Sequence, residues 1–285
     1  MTAPARLLVI AGSDSGGGAG IQADIKTATA LGAYAMTAVT SVTVQNTQGV
    51  HAIHPIPANI VRAQIVSALE DIGADAVKIG MLGSVEVVQA VAQTLQTYAR
   101  HLPLVVDPVM EAKGGASLLE DEAANTLMIS LFPLATIITP NAPEASRLTG
   151  LPVETVADCA QAGQSLLATG AQYVLVKGGH LEGETVTDVL ISNDSAQRLT
   201  APRLNTTSTH GTGCTLATAI AVGLAQGMPL IEAIRRARSY VQEAIRTAPG
   251  FGHGHGPLNH MHPFMKSTET GPAAPIPGLR WGRPR

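Results

Sequence analysis

The stretch LLVIAGSDSGGGAG (7–20) decides the fold, because an unbroken apolar run gives way to a glycine loop and then to a helical pattern carrying Gln22, Asp24 and Lys26. An apolar run without alternation is a strand buried on both faces, and glycines at its carboxyl end let backbone approach a ligand closely. Working outward, apolar runs recur at 35–44, 76–79, 104–106, 137–138 and 173–176. Helical patterns at 20–31, 58–72, 85–99, 121–131, 143–148 and 156–168 stand between them. The alternation predicts an α/β fold with a mostly parallel central sheet flanked by helices on both faces. Ser84 and Thr155 occupy N-cap positions, and Gly32, Gly73 and Gly170 lie where helices should stop. Runs 186–191 and 197–201 read as a hairpin joined through Asn193 and Asp194, and two long helices follow at 212–225 and 229–246.

Composition narrows the function classes. With 45% hydrophobic residues, the 285-residue chain has ample material for a core, and neither repeat nor linker divides residues 1–266, which are expected to form one domain. Residues 267–285, dominated by proline, glycine and small side chains, are expected to be a disordered tail. Charged residues are 14%, aromatics 3% and the formal net charge is −3, so neither a basic footprint nor stacking platforms for nucleic acid are present. No run approaches the roughly 20 apolar residues that span a bilayer, and the run at 7–11 is too short for a signal peptide. Cys159 and Cys214 are too few for a disulfide framework, which fits a cytoplasmic location.

The chemistry concentrates in a second glycine turn, NTTSTHGTGC (205–214), which opens directly into a helix. Unpaired backbone N–H groups and the positive end of the helix dipole make such a turn an anion site, phosphate above all. Its reactive side chain is Cys214. No Gly-Lys-Ser or Gly-Lys-Thr occurs, so a Walker-type loop is excluded, and the first glycine loop fits the dinucleotide spacing poorly. Lys177, at a strand end before Gly178, Gly179 and His180, supplies a candidate fixed cation. Asp107, Asn141 and Glu144 stand at strand ends as candidate ligands for a nucleotide-bound magnesium ion, which needs few protein donors. Asn141 reads equally well as a helix cap. His210 is either catalytic or a pocket-filling cap, and the histidines at 253, 255, 260 and 262 lie among glycines that impose no fixed metal geometry.

Taken together, AGSDS (11–15), GGAGIQAD (17–24), VQNT (44–47), KIGML (78–82), VDPVM (106–110), TPNAPE (139–144), VKGGH (176–180) and THGTGC (209–214) resemble hydroxymethylpyrimidine/phosphomethylpyrimidine kinases of the ribokinase-like superfamily. The resemblance runs from about Leu7 to His260. It implies a ribokinase-like fold with no separate lid domain. The loop at 112–117 and the 186 hairpin are then the candidate lids. It also implies ATP-dependent phosphorylation of 4-amino-5-hydroxymethyl-2-methylpyrimidine to its monophosphate and then to the diphosphate, for thiamine biosynthesis. The resemblance places the pyrimidine near Gly12, Asp24, Gln45 and Met81. ATP phosphates would meet Lys177, Thr209, Gly211, Thr212 and Gly213, with Mg2+ toward Asn141, Glu144 and Asp107. A homodimer is implied as well.

Sugar kinases of the superfamily carry an aspartate base where Cys214 stands. A thiol with an ordinary pKa of about 8.5, lowered by a helix N-terminus, is a plausible substitute. An alcohol nucleophile must lose a proton, whereas a phosphate monoester with a second pKa of about 6 is already dianionic at neutral pH. Cys214 is therefore expected to matter more for the first phosphorylation. A pyridoxal or pyridoxine kinase is the near alternative, and a non-catalytic binding protein for thiamine precursors is the alternative from another class.

Overall fold

The computed structural model describes residues 3–111, 115 and 118–265, apart from the side chain of Asp121. The tail expected at 267–285 and most of the candidate lid loop at 112–117 lie outside the described residues. One nine-stranded sheet has the order β3-β2-β1-β4-β5-β6-β7-β8-β9. The parallel strands are β1 (Ala5–Asp14), β2 (Ala33–Asn46), β4 (Ala76–Ile79), β5 (Leu104–Val106), β6 (Ile137–Ile138) and β7 (Tyr173–Val176). At the edges, β3 (Gly49–Pro55) pairs antiparallel with β2, and β8 (Thr185–Ile191) and β9 (Ala196–Pro202) extend the other side antiparallel.

The opening apolar run shows why the sheet is covered twice. Leu8 and Ile10 point into a cluster with α2 (Ala58–Asp71), α3 (Val85–Tyr98), α4 (Asp121–Ser130), α5 (Ala142–Thr149) and α6 (Val156–Leu167). Leu7, Val9 and Ala11 point the opposite way, against α1 (Gly20–Ala30), α7 (Thr212–Ala225) and α8 (Leu230–Arg246). Each large aliphatic side chain fully buried this way contributes about 1.5–3 kcal/mol relative to exposure. The expected helix ends hold: Thr155 and Asp158 form a capping box, Ser84 accepts from the Val87 amide, and Gly32, Gly73 and Gly170 take positive φ. Strand β3 was not foreseen. Its side chains are mostly exposed and two are histidines, so it carries no apolar run, and only the pairing with β2 reveals it.

This topology gathers the functional side chains. The carboxyl ends of β1, β4, β5, β6 and β7 lead into the first glycine loop, Met81, Asp107, Asn141 and Lys177 respectively, so the loops most suited to chemistry share one edge of the sheet.

Candidate active site

Along that edge lies a cavity of about 1000 Å3, lined by Gly12, Gln45, Met81, Asp107, Asn141, Glu144, Lys177, Thr209 and the turn at 211–214. At one end Gly12 is closely packed: a Cβ there would stand 2.8 Å from Ser41 Oγ and 3.1 Å from Met81 Sδ, so the Ser41 or Met81 side chain would have to shift. Gln45 reaches in from β2, its carbonyl accepting from Thr43 Oγ1 at 3.1 Å. A thioether and an amide flanking bare backbone suit a flat heteroaromatic ring with donor and acceptor edges.

Asp24 requires a correction. It lies on the sheet-facing side of α1, fully buried, and does not line the cavity. One carboxylate oxygen accepts from Lys78 Nζ at 2.9 Å and the other from Thr218 Oγ1 at 2.6 Å, so both are engaged within the core. Lys78 was overlooked, although a lysine inside a buried apolar strand must find a carboxylate.

The anion centre forms where α7 starts. Gly211 is left-handed at φ 83°, and a Cβ there would collide with the Gly18 carbonyl, so the turn sits directly on the first glycine loop. Lys177 Nζ lies 2.7 Å from Asp107 Oδ1 and 3.9 Å from Glu144 Oε2, and a Cβ on Gly213 would come within 3.1 Å of it. Burial alone would lower the lysine's pKa, but Asp107 and Glu144 outweigh it and hold the ammonium above its usual range. Glu144 is pushed up to about 7 by burial, with Asp107 adding to the rise and Lys177 opposing it.

Asn141 and Glu144 turn out to cap α5 reciprocally: Asn141 Oδ1 accepts from the Glu144 amide at 2.8 Å, and Glu144 Oε2 accepts from the Asn141 amide at 2.7 Å. The capping reading of Asn141 is thus realised, yet both residues still line the cavity. Among the described residues no three His, Cys, Asp or Glu side chains cluster as a metal cage. Two carboxylates around one lysine instead suit a hydrated divalent cation that takes its remaining ligands from phosphates and water.

Cys214 departs from expectation. A helix N-terminus was expected to lower its pKa, but burial pushes the thiol up to about 11; Lys78 opposes the rise, Asp24 and Asp107 add to it, and the Gly20 amide opposes it. Desolvation of a thiolate sets the direction of the shift.

The residue that organises the site was not singled out in advance. Asp14 accepts from the amides of Gly16, Gly18 and Ala19 at 2.8, 3.0 and 2.8 Å, and its Oδ2 lies 2.8 Å from His210 Nε2. His210 therefore ties the two glycine loops together, and Gly18 packs against its ring. Burial would raise the Asp14 pKa, but the His210 bond and the backbone amides more than offset it, leaving the carboxyl below its usual range. A depressed carboxyl stabilises the fold above its unfolded pKa and loses that contribution as pH falls through the folded one. Asp14→Ala is expected to cost about 1–3 kcal/mol at neutral pH. The gap in melting temperature from the parent should narrow as pH drops below about 3.9 in thermal unfolding; a gap that widens in acid would contradict this assignment.

The histidine-rich segment is structural in most of its contacts. His260 Nε2 lies 2.9 Å from Thr215 Oγ1, and His262 Nε2 lies 3.1 Å from the Tyr240 carbonyl. The His255 amide donates to the Thr47 carbonyl at 2.8 Å, seating the loop on the β2–β3 turn. Beyond Lys177 the cavity continues between the β8–β9 hairpin and α8, lined by Val186, Pro202, Leu204, Arg238 and Gln242. The sequence marked only the 186 hairpin of this wall, as a candidate lid, because the wall's residues come from three elements that meet only in the fold.

The phosphomethylpyrimidine kinase family model matches residues 14–259. The chain is 50% identical over 255 residues to the thiamine biosynthesis bifunctional protein ThiED of Geobacter sulfurreducens; the match covers 90% of the chain and 52% of that protein, about half its length. It is 47% identical over 256 residues to the hydroxymethylpyrimidine/phosphomethylpyrimidine kinase of Bacillus subtilis, covering 90% of the chain and 94% of the relative. Among solved structures, the ADP complex of Bacillus subtilis pyridoxal kinase aligns with a TM-score of 0.85 at 40% identity, over 91% of this chain and 98% of that one.

Proposed function

The chain belongs to the phosphomethylpyrimidine kinase family, and from that membership we propose that it transfers the γ-phosphoryl group of ATP to 4-amino-5-hydroxymethyl-2-methylpyrimidine and then to the resulting monophosphate, for thiamine biosynthesis. The observation that carries this reading is the meeting, in one cavity, of the α7 turn, Lys177 and Asp107 with the Gly12, Gln45 and Met81 end.

Phosphoryl transfer is mainly electrostatic positioning of spread negative charge. In this reading the amides at 211–214 and Lys177 hold the transferring group, and Thr209 and Thr212 border it. Gln45 offers its amide to the aminopyrimidine edge, while Met81 packs on the ring beside Gly12. The attacking alcohol gives its proton to the Cys214 thiolate as its oxygen bonds to the γ-phosphorus and ADP leaves. In the second round the substrate's phosphate arrives dianionic and needs no such acceptor. Mg2+, held through water by Asp107, Asn141 and Glu144, would neutralise charge on the nucleotide phosphates. Loss of the Asp107–Lys177 pairing geometry would misplace both.

The same reading takes residues 1–266 as one kinase domain with 267–285 as a tail, in the cytoplasm, where free Cys159 and Cys214 persist. A homodimer is part of it, supported by the exposed Tyr34, Val42, Val44 and Ile53 on β2 and β3. Among the described residues no helix is long and apolar enough to cross a membrane. Pyridoxal phosphorylation is the second reading, favoured by the likeness to a pyridoxal kinase over 91% of the chain.

A coupled assay with ATP-Mg decides between them. Turnover of both the pyrimidine alcohol and its monophosphate is expected, at higher kcat/KM than pyridoxal. Activity on pyridoxal alone would overturn the assignment, and no product from any of the three would favour a binding protein.

A further inference from the structure

Lys177 owes its position to a buried carboxylate that is remote in sequence. The β7–β8 ladder ends at the pair Val176 and Val189, one residue before the lysine. Beyond that point strand pairing gives way to two separate anchors. The Lys177 amide donates to the Pro140 carbonyl at 2.8 Å, and the Gly178 amide donates to Asp188 Oδ1 at 2.9 Å. The peptide units on both sides of the Lys177 Cα are thereby fixed, one by the chain leading to Asn141 and one by a side chain from β8.

Asp188 is only 6% exposed, and its second oxygen accepts from Arg238 Nε at 2.8 Å. Arg238, on α8, also donates to the carbonyls of Leu199 at 2.7 Å and Thr200 at 3.3 Å, so the arginine that holds the carboxylate is itself fixed on β9. Gly178 is matched to this arrangement, because a Cβ there would run into the Thr187 carbonyl. The loop that follows is clamped separately: the Arg203 guanidinium donates to Gly183, Gly179 and Leu181 carbonyls at 2.6, 2.9 and 2.5 Å. The backbone leaving Lys177 thus has a built frame, and Asp188 is the member of it that touches the residue next to the lysine.

We propose that Asp188 is a positioning residue for the phosphoryl-transfer step, acting through the Gly178 amide to hold Lys177 against the transferring group. The proposal rests on the role given to Lys177 above. A buried carboxylate bound to an arginine and an amide also serves packing, so loss of activity in a single variant is not diagnostic. Coupling between Asp188 and Lys177 is, since residues acting through one another show non-additive effects while independent sites add.

The test is a double-mutant cycle on the full chain, with kcat for the pyrimidine alcohol and for its monophosphate measured for the parent, Asp188→Ala, Lys177→Ala and the double variant. Asp188→Ala is expected to lower both kcat values about 10- to 100-fold while the pyrimidine KM changes less than about 3-fold. In the Lys177→Ala background the same substitution is expected to change kcat less than about 3-fold. An equal loss in both backgrounds, or a loss confined to KM, overturns the positioning role and leaves Lys177's own role standing. Full activity of Lys177→Ala overturns both. Should Asp188→Ala not fold, Asp188→Leu, similar in volume and without an acceptor, takes its place in the cycle under the same criteria; Asp188→Asn, which keeps an acceptor for the Gly178 amide, is expected to hold kcat within about 3-fold of the parent, and a tenfold loss in it overturns the route through that amide.

Discussion

Lys177→Ala is expected to lower kcat for both phosphorylations by about two to three orders of magnitude, the cost of removing one well-placed stabiliser of developing negative charge. The lysine is mostly shielded from solvent, paired at 2.7 Å with Asp107 and placed beside Gly213, where the α7 amides converge. Its charge acts in both rounds, because each round moves the same kind of group. The pyrimidine KM should change less than about 3-fold, as Gly12, Gln45 and Met81 make the ring contacts, and a loss in kcat and kcat/KM alike marks an interaction made in the transition state. Steady-state kinetics on each substrate check this. A loss below tenfold, or one confined to KM, would remove Lys177 from the phosphoryl site.

The second large effect is on stability. Lys78 Nζ and the Asp24 carboxylate, both fully buried, pair at 2.9 Å beneath the cavity. Burial would lower the lysine's pKa, but Asp24 outweighs it and holds the ammonium above its ordinary value. Breaking such a pair strands a charge in the core, so Lys78→Ala should destabilise the protein by about 3–5 kcal/mol. Lys78→Met combined with Asp24→Leu, which removes both charges and keeps apolar volume, should recover most of that loss. Denaturant unfolding of the two variants checks the pair; equal destabilisation would mean that packing, and not the stranded charge, sets the cost.

The α/β architecture was legible because its signals are local. LLVIA at 7–11 reads as a strand buried on both faces, and Ser84, Thr155 and Gly170 mark helix ends through chemistry confined to one turn. That the turn at 211–214, Lys177, Asp107 and Glu144 border one cavity could be anticipated for the same reason, each standing at an element boundary beside glycine or proline. What escaped depends on distant partners. Asp24 looked like a ligand contact until Lys78 and Thr218, from β4 and α7, were seen to occupy it. Asp14 gave no hint of its His210 partner 196 residues away, nor Asp188 of Gly178 and Arg238. The Cys214 thiol was misjudged because the helix dipole is visible in a sequence and desolvation is not.

That corrected thiol sharpens how the two rounds differ. With burial raising its pKa well above neutrality, Cys214 rests as a neutral thiol at neutral pH. If the thiolate takes the alcohol proton, the first phosphorylation should accelerate nearly tenfold per pH unit above neutrality, and Cys214→Ala should abolish that slope. The second phosphorylation should level off once pH exceeds the monoester's second pKa of about 6. The most direct measurement is single-turnover phosphoryl transfer by Cys214→Ala on both substrates, with ATP-Mg saturating. A loss at least tenfold greater for the pyrimidine alcohol than for its monophosphate is the expected result; equal losses on the two would contradict the division of labour.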